Sequence, residues 1–114
     1  VFDYTATIEQ VVDADTLDLT VDLGFHVHLR QRVRLAGLDA PELRTPEGKA
    51  ARDWVIGWVN EFAPDQVGVR TQLDKTEKYG RVLGVVYPLP DRGTTLNQAL
   101  LNTGHARPYD GGKR

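Results

Sequence analysis

Three short stretches of the chain concentrate acids and arginines: Asp13-Ala14-Asp15-Thr16, the run from Arg34 through Asp39-Ala40-Pro41-Glu42, and Glu77-Lys78-Tyr79-Gly80-Arg81. Their side-chain types suit one kind of chemistry. Asp15 and Asp39 offer the hard oxygen ligands that a divalent cation prefers. Glu42, three residues past Asp39 and across Pro41, can take a proton from water or orient it. Arg34 and Arg81 carry planar guanidinium forks that grip phosphoryl oxygens two at a time, which lysine cannot do. Hydrolysis of a phosphodiester needs these parts: a cation site, a base for water, and donors facing the charge that builds in the transition state. Each cluster alone has an ordinary reading, since aspartate is common in turns and arginine at surfaces. The two arginines and three acids carry weight only as a set.

The elements that must bring them together can be read from hydropathy patterning. Thr5–Val12 is rich in β-branched residues and reads as a strand, with Asp13-Ala14-Asp15 as a turn. From Leu17 to Leu23 apolar and polar residues alternate cleanly. A third strand is expected over Phe25–Leu35, with Phe25, Val27, Leu29, Val33 and Leu35 on one face. His26, His28, Arg30, Arg32 and Arg34 fall on the other face, either as a solvated surface or as a cationic track for a nucleic-acid backbone. Residues 36–44 read as a loop. Thr45-Pro46-Glu47 is a helix start, and the apolar face Ala51, Trp54, Val55, Trp58, Val59, Phe62 carries that helix to about Phe62, before Pro64. Strands follow over Gln66–Leu73 and Arg81–Tyr87. Thr95-Leu96-Asn97-Gln98 matches a capping box, so a short helix runs to Thr103, with Gly104 at its exit. Three strands, a helix, two strands and a helix is the order of an OB-fold. The expected class is mainly β (α+β): a five-stranded OB-fold barrel with two to three helices, occupying residues 1–114 as one domain, with an irregular tail over 107–114.

Val33-Arg34-Leu35-Ala36-Gly37-Leu38-Asp39-Ala40-Pro41-Glu42 resembles a signature of the staphylococcal nuclease (thermonuclease) family. Asp13-Ala14-Asp15-Thr16 is similar to that family's Asp-Gly-Asp-Thr turn, and Glu77-Lys78-Tyr79-Gly80-Arg81 to its Asp-Lys-Tyr-Gly-Arg loop. Leu96-Asn97-Gln98-Ala99-Leu100-Leu101 resembles its following helix, so the likeness runs from about Thr5 to Tyr109. The resemblance implies a calcium-dependent endonuclease that cuts DNA and RNA and leaves 3′-phosphates. It implies Asp15, Asp39 and the Ala40 backbone carbonyl as calcium ligands, with Asp13 as a supporting acid. Arg34, Glu42 and Arg81 would be catalytic, and Lys78 and Tyr79 would bind substrate. Ala14 stands where the family has glycine, Ala40 where it has threonine, and Glu77 where it has aspartate. The alternative is a non-catalytic OB barrel that binds nucleic acid or protein.

Composition bounds the rest. The chain has 114 residues, 40% apolar and 26% charged, as in a globular domain rather than a disordered one. It has no cysteine, so disulfides, thiolate metal sites and cysteine nucleophiles are excluded. A formal net charge of −2 argues against a passive nucleic-acid coat, but not against an enzyme that needs only a local cationic clamp. No apolar run is long enough to span a membrane and no secretory leader is visible in these residues, so no membrane partner is expected and the compartment stays open. No long exposed apolar stripe is evident, so a monomer is expected.

Overall fold

A computed structural model of the chain describes residues 3–72, 82–90 and 93–109. The alternating segments form a barrel. β1 (Asp3–Asp13), β2 (Thr16–Asp22) and β3 (His28–Leu35) make an antiparallel meander. β4 (Leu38–Asp39) is a two-residue strand inside the expected loop, and α1 (Pro46–Phe62) follows. β5 (Val67–Gln72) and β6 (Val82–Pro88) pair antiparallel; α2 (Leu96–Asn102) and the short β7 (Arg107–Pro108) complete the order. The five long strands close in the order β1-β2-β3-β6-β5. Closure comes from β5 pairing back onto β1 and from a parallel contact of β3 with β6, Val33↔Val82 to Leu35↔Gly84. This is the mainly β barrel with two helices that the element order implies.

Period-two alternation fills the interior. Leu17 and Leu19 of β2, Val33 and Leu35 of β3, Val67 and Val69 of β5 and Val86 of β6 are all fully buried. Ala51, Val55 and Trp58 of α1 and Leu96 and Leu100 of α2 join the same core. The helix starts form as the sequence implies: Thr45 Oγ1 accepts from Gly48 N at 3.0 Å, and Thr95 Oγ1 from Gln98 N at 3.0 Å. The second cap is only half a capping box, because the Gln98 amide donates to Asn102 Oδ1 at 2.8 Å instead of reaching back.

Two sequence expectations need correction. The third strand begins at His28, not Phe25, and Phe25, Val27 and Leu29 are exposed. Phe25 and Val27 lie in the turn before β3, and Leu29, paired with Val21, sits at the open start of that strand, before its contact with β6 begins at Val33. The tail is not irregular from 107: Arg107 and Pro108 pair with Asp39 and Leu38. A two-residue ladder carries no periodicity that a sequence could display. No helix among the described residues is long and apolar enough to cross a membrane.

Candidate active site

The turn between β1 and β2 places the first acids. Ala14 is fully buried, and its φ is not among the positive values of the described residues, so alanine costs nothing where glycine would give freedom. Asp15 is 8% exposed and tied on three sides. Its backbone oxygen accepts from Leu35 N at 2.8 Å, its Oδ1 from Thr16 Oγ1 at 3.2 Å, and its Oδ2 from Ala40 N at 3.2 Å. The turn is thereby fastened both to the end of β3 and to the residue after β4.

Arg34 sits opposite Thr16 in the β2–β3 register, so its side chain leaves the sheet beside that turn. Gly37, with φ of +81°, then reverses the chain into β4, which β7 holds in place. The Arg34 guanidinium, with its side chain 11% exposed, lies 3.8 Å from Asp15 Oδ2 and 3.5 Å from Asp39 Oδ1. The Tyr109 ring centroid is 5.7 Å from it, and Tyr109 N donates to Gly37 O at 2.9 Å. Tyr109 is a neighbour of the cluster that the sequence reading missed. Its only signal was being an aromatic in an otherwise polar tail.

Asp13 closes the group. Its Oδ1 is buried without a hydrogen-bond partner. Burial first, then the hydrogen bond and charge of Asp15, raise its pKa from 3.8 to about 6. An orphaned carboxylate oxygen beside a second, buried carboxylate is what a hard cation would relieve, so the donor set fits calcium by chemistry. Among the described residues no group of three or more acidic, histidine or cysteine side chains is gathered to hold a metal ion. The metal-free protein supplies a test. Folded Asp13 keeps its proton to about pH 6 and the unfolded chain only to about 3.8, so the folded state binds more protons in between. Stability therefore falls as pH rises through that window. In chelator at pH 8, Asp13→Asn should gain about 1 kcal/mol, a melting rise of about 4 °C, allowing for partial solvent screening. The gain should vanish by pH 4; an equal gain at both pH values would contradict it.

Among the described residues that the sequence singles out, Glu42 is not brought into this cluster. Glu42 has its backbone oxygen fixed by Thr45 N at 3.0 Å and Thr45 Oγ1 at 2.7 Å. Gly48 of α1 approaches that oxygen so closely that a Cβ would collide with it. Its carboxylate is exposed and pairs with Arg44 Nε at 2.6 Å rather than with Asp15, Asp39 or Arg34. Lys78, Tyr79 and Arg81 lie outside the described residues.

Comparison with known proteins decides the family. The model for staphylococcal nuclease homologues matches residues 32–113. The chain belongs to the staphylococcal nuclease family. It is 34% identical to micrococcal nuclease of Shigella flexneri, over 94% of this chain and 59% of that protein. It is 32% identical to protein ParB of Escherichia coli, over 90% and 55%, and 30% identical to an uncharacterized endonuclease of Escherichia coli, over 95% and 63%. The chain thus spans 55–63% of the length of these relatives. These matches reach beyond the segment 32–113, whereas the family model begins within β3 and leaves the Asp13–Asp15 turn outside it.

Proposed function

We propose that this chain is an endonuclease that hydrolyses phosphodiester bonds of DNA or RNA with one calcium ion, leaving 3′-phosphates. The observation that supports it most is the convergence on Arg34 of two carboxylates from separate segments, Asp15 and Asp39, in a nearly closed setting. Relatives named as nucleases support the same reading.

Asp15, Asp39 and the Ala40 carbonyl would hold the ion, with Asp13 beside them. Once bound, it would supply positive charge against the negative charge of the phosphate. Arg34 and Arg81 then donate to the phosphoryl oxygens, where negative charge grows in the transition state. Glu42 accepts a proton from the attacking water as the water oxygen bonds to phosphorus. The bond from phosphorus to the 5′ oxygen breaks, and that oxygen takes a proton from solvent. To act, the Glu42 carboxylate leaves Arg44, an exposed pair worth about 0.2–1 kcal/mol and so cheaply broken. Lys78 and Tyr79 contact the flanking nucleotide.

A plasmid-degradation assay tests the proposal. Wild-type protein should nick and degrade plasmid in calcium, stop in EGTA, and recover on adding calcium. Magnesium should substitute poorly, because it demands tighter octahedral geometry. Full activity in chelator would remove the metal from the scheme, and no degradation under any condition would leave a binding module.

A further inference from the structure

We infer that the outer face of the β2–β3 hairpin, from Arg34 out to the tip at Phe25, is a second contact surface for the nucleic-acid strand, with Arg30 on a phosphate and Phe25 against a base. The inference rests on the nuclease reading and extends its substrate beyond the cleaved bond. Register puts Thr16, Asp18, Thr20 and Asp22 opposite Arg34, Arg32, Arg30 and His28, so these pairs share the face turned away from the core. Six residue steps separate His28 from Arg34, roughly 20 Å of strand. That is about six nucleotides of a duplex strand at ~3.4 Å each.

The charges along this line are not all consumed by the protein. Asp18 is taken by Arg32, at 2.8 Å from Nε and 3.2 Å from Nη2. Asp22 accepts from Gly24 N at 2.8 Å within the turn. Arg30 reaches Asp18 only at 4.0 Å, and its side chain is 64% exposed. A cation continuing the line from Arg34 at strand spacing suits a repeating phosphate backbone better than an apolar partner.

The tip is the second, independent observation. Phe25 is 99% exposed. It and His26 have φ of +53° and +61°, left-handed values that bulky side chains avoid. Leu23 N to Val27 O and Val27 N to Gly24 O, both 2.9 Å, fix that turn. Asparagine and glycine suit such a turn at no conformational cost, so folding does not explain an aromatic there. Leu23, Val27 and Leu29 flank it, also exposed. Exposed aromatics used together with cations are a means by which proteins hold unstacked or strand-end bases.

The test is equilibrium binding by fluorescence anisotropy in chelator, where nothing is cut. The probes are labelled single-stranded DNAs of about sixteen and about four nucleotides, only the first able to reach from Arg34 to the tip at ~3.4 Å per step. Phe25→Asn and Arg30→Ala should each weaken the longer probe about tenfold and shrink its advantage over the shorter one. Arg30→Ala should also flatten the slope of log affinity against log salt by about one. Phe25→Asn should melt no lower than wild type, since asparagine tolerates the left-handed turn. That separates lost binding from lost folding. Arg70→Ala, which removes an exposed charge on β5, should change nothing. Unchanged affinity for the longer probe in both variants would overturn the inference. So would a hairpin effect confined to self-association or to anionic vesicles. A protein that fails the plasmid assay yet shows the Phe25 loss would keep this surface and lose the nuclease reading.

Discussion

Arg34→Lys should lower the turnover rate about 10²–10³-fold, or about 2.7–4 kcal/mol of transition-state stabilisation, while the protein melts within a few degrees of wild type. The variant keeps a positive charge between Asp15 and Asp39, which wild-type Arg34 bridges at 3.8 and 3.5 Å. It gives up the planar fork that can donate two parallel hydrogen bonds to one phosphoryl group. The loss belongs to the transition state, so kcat should carry it and KM should move little. Steady-state kinetics on a short fluorogenic oligonucleotide, with melting curves alongside, read this directly. A variant within about threefold of wild type in kcat would show that Arg34 serves only to hold the acids apart, because the charge it keeps is all that such a role needs.

The second large effect concerns stability. Asn97 of α2 is buried and joins three backbone groups. Its Oδ1 accepts from Val86 N at 3.0 Å, and its Nδ2 donates to Ala36 O at 2.9 Å and Gly84 O at 3.1 Å. The β3–β6 ladder ends at Leu35↔Gly84, so Val86 has no strand neighbour on that side and Asn97 fills the vacancy. Gly84 O also accepts from Ala36 N, but Asn97→Leu would leave Val86 N and Ala36 O buried without this partner. At about 1–3 kcal/mol for each orphaned group, the expected loss is about 3 kcal/mol, with melting lower by on the order of 10 °C. Asn97→Asp should be at least as harmful. It keeps an acceptor for Val86 but sets a charge against two carbonyls. Urea denaturation midpoints check both, and a loss under about 1 kcal/mol would mean that water takes over the role.

Much of this was legible from the residues themselves. Leu17, Leu19 and Val21 alternate because one barrel face is buried, and Thr45-Pro46 marks a helix start because a hydroxyl and a fixed φ suit that position. The meeting of Asp15, Arg34 and Asp39 was expected from spacing and resemblance, and the barrel brings those three within reach of one another. Other features are written in no local pattern. Asn97 reads as a polar face of a short helix until β6 is seen to outrun β3. Tyr109 depends on a ladder two residues long. Phe25, Val27 and Leu29 continue the alternation but are exposed, because β6 meets β3 only from Val33 onward. The rotamer of Glu42, turned to Arg44, follows from a neighbour two residues away rather than from the motif.

The ladder between β4 and β7 has a consequence in time. Asp39 is positioned by Arg107, and Gly37 by Tyr109, near the far end of the chain. Contacts so distant in sequence form only once the later segment exists. A polypeptide still emerging from the ribosome therefore carries Asp39 before the strand that pairs with it has been made.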